Sequence, residues 1–557
     1  MKIFKQNRIL TFLFTLTCQQ LTCSAEFNWD DYYTIENIPV HNTIDPQIGG
    51  LDFNANGELV ACFHRGEVAV YNEESKQWRI IASGLHEPLG LYVEPEGTIL
   101  VIQRAELTRL HDKDKDGLID FYEVVCNDWG LSGNYHEFSF GIVKDSKKNI
   151  YISLGTASNG SGAREEIRGE WSDIGGLTHE KFLYGGKHGE WRSKRRKMPR
   201  MYARVPYRGC ILKIEPDSMK AKVFATGVRT PNGLYIDSND QLWVTDNQGD
   251  WVGSSKIHMI EEGGFHGHPA SLLWAENPPS AIPSKIPAKK LDAMRIKAAA
   301  LLPQGDCSNS VTQIRAFENA FTPVKKDLKD SGQLLLGEMN HSRLVRYIPD
   351  VVNGKQQGAA THFLSTKSLN HGNNRLIFSA DKKSLYLGKT HLSWPGRKGV
   401  RKVNYTGKPY LIADSVKLTP KGFVFEFNTE IEASAAAEDY KIESYGIDYH
   451  AKYGSKKIGV IQERVAQAVV KGNTLTIDLT EKPKANKVYD IQLPKSITSE
   501  LSDISSSRSG IQPMKFISSM KFRKYKESPS VHGGYFQQEQ RDATESGYIL
   551  SWSIQRK

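Results

Sequence analysis

The chain has 557 residues, 39% hydrophobic and 24% charged, with 73 Lys and Arg against 63 Asp and Glu. That balance excludes a chiefly disordered chain, and no segment beyond the N-terminus reaches the run of about 18 apolar residues that a membrane span needs. The 47 Gly and 23 Pro follow no collagen period and point to many turns between short strands.

Residues 1–25 read as an export signal. Lys2, Lys5 and Arg8 precede a short apolar stretch at 9–17, and Cys23-Ser24-Ala25 offers small residues for cleavage after Ala25. A lipid anchor on Cys18 or Cys23 fits the flanking residues poorly. The expectation is a secreted or periplasmic protein without a membrane span. Loss of the three signal cations lowers the net charge from +10 to +7. Cys62, Cys126, Cys210 and Cys307 remain, far apart and with no CxxC, so a zinc ribbon, a thioredoxin site and a c-type haem are excluded. One or two disulfides or four buried thiols are equally compatible with export.

One phrase recurs along the chain: Gly, apolar, any, apolar, a polar turn, then alternating apolar residues. It stands as GLDFNANGELVACF from Gly50, GLYVEPEGTILVIQ from Gly90, FGIVKDSKKNIYISLG from Phe140 and GLYIDSNDQLWVTD from Gly233. Weaker copies are DLKDSGQLLLGEMNHSRLVRYI from Asp327 and RLIFSADKKSLYLGKTH from Arg375. Each reads as strand, tight turn, strand. The copies predict an all-β fold, a six-bladed β-propeller over 26–408 with capping inserts near 156–208 and 265–325. KKLDAMRIKAAALL at 289–302 has helical character within the second insert. Two strand-rich stretches in 409–523 predict an immunoglobulin-like β-sandwich, and 524–557 a polar tail.

DKDKDGLIDFYE matches a twelve-residue calcium loop at every ligand position. Asp112, Asp114 and Asp116 supply carboxylates, Gly117 the sharp turn, Leu118 a carbonyl, Asp120 the ninth position and Glu123 a bidentate carboxylate. So many acids so close repel one another without a cation, and the predicted ion is a structural Ca2+; an acidic solvent loop is the plainer alternative.

The ends of the predicted strands carry polar residues at equivalent places. They are Gln103 and Arg104; His136 and Glu137; Arg229 and Asn232; Asp246, Asn247, Gln248 and Asp250; Glu338, Asn340 and His341; and Asn370, His371, Asn374, Arg375, Lys389, His391 and Arg397. A closed ring gathers them at one mouth, which suits a polar ligand and proton transfer. Singly, each reads equally as a turn or capping residue. A basic run, Lys187, Arg192, Lys194, Arg195, Arg196, Lys197, Arg200, Arg204 and Arg208, reads as a solvated loop or as a patch for an anionic glycan. No nucleic-acid-binding module is present.

GLHEPLGL, QRAELTRLHDKDKDGLIDFYE, GNYHEFSFG, GVRTPNGL, TDNQGDWVG and GGFHGHPA resemble the propeller of secreted bacterial glucose/sorbosone dehydrogenase-like proteins of the membrane-bound dehydrogenase type, relatives of soluble PQQ-dependent sugar dehydrogenases. The resemblance covers about 28–408 and extends into the sandwich through ESYGIDYHAKYGSKK. It implies His136 as base on a sugar hydroxyl, supported by Gln103, with Arg229 and Asp246 completing the catalytic set. It implies PQQ beside Asn232, with Lys389, Arg397 and Arg401 as cations for its carboxylates and a second calcium on the quinone; Arg104, Asn247 and His341 join the candidate cofactor contacts from the strand-end set. Here Arg229 and Asn232 are separated by two residues, and HLSWPGRKGVRK departs from the family pattern.

The expected function is a PQQ- and calcium-dependent oxidoreductase on a sugar or sugar-derived alcohol, passing electrons to an external acceptor. The alternatives are a lyase or hydrolase on an acidic or sulfated glycan, with His136 or His341 as base or Asp246, Asp250 and Glu338 as acids, and a non-catalytic glycan-binding protein.

Overall fold

The computed structural model describes residues 27–159, 168–170, 172, 199–391, 396–433, 435–503 and 515–518. The expected export signal, most of the basic run and the C-terminal tail lie outside them. The fold is all-β and propeller-like. Six antiparallel sheets begin at the inner strands Ile48–Phe53, Leu91–Val93, Ser139–Lys144, Gly233–Ile236, Val311–Ala316 and Asn373–Phe378; five are four-stranded, and the one from Val311–Ala316 is eight-stranded. Each inner strand packs on the next, and the last packs on the first, so the sheets form a closed ring. Closure buries sheet faces that no single sheet can cover.

The ring is fastened by its own N-terminus. Tyr33–Ile38 pairs with Gly399–Tyr405 and becomes the outer strand of the sixth sheet. The Tyr33 hydroxyl donates to the Phe321 carbonyl at 2.9 Å and lies 2.8 Å from the Tyr410 hydroxyl, within a cluster that includes Trp29, Phe363 and Phe378. The glycine that opens the sequence phrase has a packing cause. A Cβ at Gly90 would lie 2.6 Å from the Gly141 carbonyl oxygen, and one at Gly233 2.2 Å from that of Thr312, so only a bare backbone lets neighbouring inner strands meet at the neck.

Four of the six phrases are inner hairpins in the register the sequence suggests, and the one from Arg375 is a fifth. The phrase from Asp327 is displaced by one strand. Its hairpin pairs Leu334–Glu338 with Leu344–Val352, and the inner strand is Val311–Ala316, which the sequence reading left in an insert. Ser331-Gly332 there ends a short helix, Leu328–Ser331, capped by Asp327 and by Gly332 at φ 65°, so a helix terminus imitates a hairpin turn. The helical stretch at 289–302 divides likewise. Ala288–Met294 is a helix, but Ala300–Leu302 is the outer strand of the fourth sheet. The four cysteines are buried, with no disulfide among the described residues; burial pushes Cys62 up to about 12 and Cys126 to about 11.

Beyond residue 410 two sheets face each other. One holds Ala413–Leu418, Gly422–Phe427, Thr474–Leu479 and Val465–Lys471. The other runs through Ile458–Glu463, Lys441–Gly446, Val488–Gln492 and Lys515–Ser518, and continues into Lys355–Phe363, the outer strand of the fifth propeller sheet. Phe423, Phe425, Phe427, Ile442, Ile477 and Ile491 fill the space between them together with Ile348 and Ala359 of the ring. A second joint pairs Tyr449–Tyr453 with Asp250–Val252, and Gly454 N–H donates to the Gly249 carbonyl at 2.9 Å. Among the described residues no helix is long and apolar enough to cross a membrane.

Candidate functional site

Inner strands begin, and their partners end, at the same end of the ring, so antiparallel pairing alone gathers the strand-end polar residues there. The third and fourth sheets join three of them, His136, Arg229 and Asp246, through Thr230. His136 Nδ1 lies 2.8 Å from the Thr156 carbonyl oxygen, which requires a proton on Nδ1 and makes Nε2 the acceptor of the neutral ring; Nε2 stands 3.5 Å from Thr230 Oγ1. Arg229 Nη1 donates to the same Thr230 Oγ1 at 3.0 Å, and the Arg229 carbonyl accepts from Thr156 N–H at 2.9 Å. Asp246 accepts the N–H of Thr230 at 2.6 Å and of Arg229 at 3.2 Å, and pairs with Lys256 at 2.9 Å.

Several predicted residues hold the loops that carry His136 and Arg229. Asp246 is 1% exposed, and its carboxylate is consumed by Lys256 and two backbone amides, so it orders the Arg229 loop and has no lone pair turned to a ligand. Arg104 is buried, paired with Glu87, and donates to the carbonyls of Asn134 and Tyr135 at 3.2 Å, bracing the His136 loop from behind. Gln103 spends its amide on Thr108 at 2.6 Å and its carbonyl on His86 N–H. Asn247 gives its carbonyl to Lys256 at 2.8 Å, while its Oδ1 is buried with no partner among the described residues.

The cofactor set does not assemble. Asn232 is locked to Arg375 at 2.7 Å and to Asn374 at 3.0 Å across the ring's neck. Lys389 is buried, bonded to Asn373 Oδ1 at 2.6 Å and the His371 carbonyl at 3.2 Å, and burial holds its ammonium well below the usual lysine range. His341 is 2.9 Å from Glu338, which also receives Arg343 at 3.0 Å. Arg397 is exposed, and Arg401 reaches Asn37 on the outer strand pair. A tricarboxylate quinone needs convergent free cations, and this donor set does not fit one.

Residues the reading passed over do more. Asn134 accepts His136 N–H at 3.0 Å and Ser158 N–H at 3.1 Å, and donates to the Ser158 carbonyl at 2.9 Å, tying the histidine loop to Ala157–Ser158. Arg208, from the basic run, is fully buried and donates to the carbonyls of Gly130 and Glu137 at 3.0 and 2.9 Å; Arg204 is equally buried. The solvated-loop reading therefore fails for both. Lys187, Arg192, Lys194, Arg195, Arg196 and Lys197 lie outside the described residues. Tyr453, from the second unit, covers Arg229 and Arg200, with guanidinium carbons 5.5 and 4.1 Å from its ring centre. Tyr453 lies in the ESYGIDYHAKYGSKK stretch of the resemblance, but no residue spacing places it at the mouth, because a strand pairing some 200 residues away brings it there.

At the calcium-type loop, carboxylate oxygens of Asp112, Asp114 and Asp116 lie within 4.8 Å of one another, and Asp112 Oδ1 is buried without a partner among the described residues. Asp120 accepts Lys113 N–H at 3.0 Å, Gly117 sits at φ 86°, and Leu118 N–H donates to Asp116 at 2.7 Å. These groups fit a divalent cation. Glu123 departs from the prediction: its carboxylate is 3.0 Å from His111 and 3.4 Å from Arg109 on the facing strand.

No family model matches the chain, and no curated protein matches it. Solved structures do. A putative oxidoreductase (glucose dehydrogenase) from Thermus thermophilus is 15% identical, covers 67% of this chain and 99% of its own, with a TM-score of 0.44. The PQQ-bound aldose sugar dehydrogenase of Streptomyces coelicolor is 12% identical over 67% of this chain and 98% of its own, TM-score 0.42. The PQQ domain of pyranose dehydrogenase from Coprinopsis cinerea is 10% identical over 68% and 97%, TM-score 0.45.

Proposed function

We propose that this protein is an exported oxidoreductase acting on a sugar or sugar-derived alcohol, with His136 as the general base. One observation carries the reading: the Thr156 carbonyl fixes the imidazole in the tautomer that turns a basic Nε2 toward Thr230 and Arg229. The likeness of GNYHEFSFG and GVRTPNGL to the sugar-dehydrogenase propellers supports it. In this reading His136 Nε2 takes the proton of a substrate hydroxyl, the Thr156 carbonyl stabilises the resulting imidazolium, and Arg229 orients the substrate. The hydride of the same carbon passes to an external two-electron acceptor of the quinone or dye class, leaving the carbonyl product. The reading rests on His136 and not on a quinone held by Lys389 or Arg397. We further infer a structural calcium at Asp112, Asp114, Asp116 and Asp120, without Glu123.

Dye reduction by residues 26–557 over a panel of sugars and sugar acids, with and without added PQQ and calcium, tests the function. Turnover that falls by about a hundredfold or more in His136→Gln is expected, the usual scale for a lost general base. An unchanged rate in that variant removes His136 from the chemistry. Cleavage of acidic polysaccharide without dye reduction replaces the oxidoreductase with the lyase reading.

A further inference from the structure

The second unit brings the aromatic ring of Tyr453 to the mouth. The Tyr453 ring is wedged beside two guanidinium groups, Arg200 at 4.1 Å and Arg229 at 5.5 Å. Cation–π contact holds both arginines but neutralises neither. Among the described residues neither has a carboxylate within ion-pair distance, and the Nε of each is buried without a hydrogen-bond partner. Burial first, and then Arg229, holds Arg200 below the usual arginine range.

The neighbouring acids are already engaged. Asp246 faces Lys256, and Asp250 lies 3.2 Å from His268. Counting Arg200, Arg229 and Lys256 against Asp246 and Asp250 leaves one positive charge at the mouth. Two adjacent, half-desolvated guanidinium groups are costly unless an anion joins them, and their forked donors match a carboxylate. Arg229 shares Thr230 with His136, so an anion held there sits beside the base.

We propose that Arg200 and Arg229, set by Tyr453 of the second unit, form a subsite for one carboxylate group, and that the sugar class taken at the His136 mouth is acidic. The inference rests on the function proposed above and adds the substrate's charge. It also gives the second unit a role at the site: Tyr453 is a positioning residue.

Isothermal titration of residues 26–557 with galacturonate, its neutral methyl ester, glucose and PQQ tests it. Galacturonate should bind at least about tenfold more tightly than the ester, because only the acid presents a charged acceptor to the two guanidinium groups, and added salt should erode the difference. Arg200→Gln should abolish the preference while leaving ester affinity unchanged, Arg200→Lys should restore part of it, and Tyr453→Phe should keep it where Tyr453→Ala does not. Equal binding of acid and ester, or an unaltered preference in Arg200→Gln, overturns the subsite. Binding of PQQ alone, lost in Arg200→Gln, upholds the carboxylate subsite but assigns the carboxylate to a cofactor and overturns the acidic sugar. If none of the sugars binds, it is the sugar-directed function that fails; if the sugars bind with equal affinity, only the subsite does.

Discussion

The two ends of the ring's channel are built from the same six strands and behave oppositely. At the end away from His136 the strands open into a cavity of about 980 Å³ lined by Asp52, Tyr92, Lys144, Tyr235, Gln313 and Arg315. At the mouth the strand-end residues close on one another, and Arg375 stops the neck by donating to the carbonyls of Gly49 and Leu89 and to Asn232. The wide end has the volume but no histidine in its lining, and burial raises its Asp52 carboxyl and lowers its Arg315. The mouth has a base of fixed tautomer. Proton-transfer chemistry therefore favours the mouth for the function proposed above.

The sharpest way to break this contrast is to remove the stopper. Arg375→Met leaves the carbonyls of Gly49 and Leu89 and the Asn232 oxygen buried without donors. Unsatisfied groups of this kind cost roughly 1–3 kcal/mol each, so a loss of about 4 kcal/mol is expected after relaxation. Urea unfolding of the variant measures it. A midpoint unchanged from the parent would mean that water replaces the guanidinium at no cost and that the two ends are one continuous channel.

The strand-end pattern made the ring and the mouth legible, because a period-2 hairpin places its ends by geometry alone. What the pattern could not show is how each polar group is spent. Asp246, Arg104 and Lys389 carry the same side chains a catalytic set would need, yet each is buried on backbone carbonyls, amides or an ion pair inside its own loop. Arg200 and Arg208 stand eight residues apart in one basic run, and one reaches Tyr453 while the other is sealed under the histidine loop. Tyr453 itself arrives by a long-range pairing that no local spacing encodes. The Asp327 phrase misled for a simpler reason: the residues that end a helix with a left-handed glycine are those that make a hairpin turn.

The mouth's buried imidazoles give the next largest effect. His258 and His266 lie ring against ring at 5.0 Å, with none of their nitrogens hydrogen-bonded among the described residues. Burial pushes His266 down to about 4 and holds His258 well below the usual imidazole range. Both are thus neutral in the fold, whereas the unfolded chain protonates them near 6.5. Their stability contribution is complete above about pH 6.5 and is lost as pH falls toward 4, with a limiting slope of about 1.4 kcal/mol per pH unit for each histidine. Denaturant midpoints between pH 7 and 4 should fall steeply, and His266→Gln should remove about one proton from that slope. A parallel curve for the variant would show that His266 accepts its proton within the fold.

The calcium-type loop gives the smallest effect and a clear way to separate its acids. It lies on an outer hairpin of the second sheet, away from the strand ends that form the mouth. If calcium joins Asp112, Asp114 and Asp116, chelation should destabilise the protein by about 2.7 kcal/mol relative to calcium at a hundred times its dissociation constant. Asp114→Ala should abolish that response, and neither change should alter the affinity of a ligand at the His136 mouth. Glu123→Gln should leave the calcium response intact, because the Glu123 carboxylate is turned to His111 and Arg109. Loss of the response in Glu123→Gln would mean that the carboxylate swings onto the ion when calcium is present. In that case the twelve-residue spacing in the sequence describes the bound loop better than the side-chain contacts of this structure do.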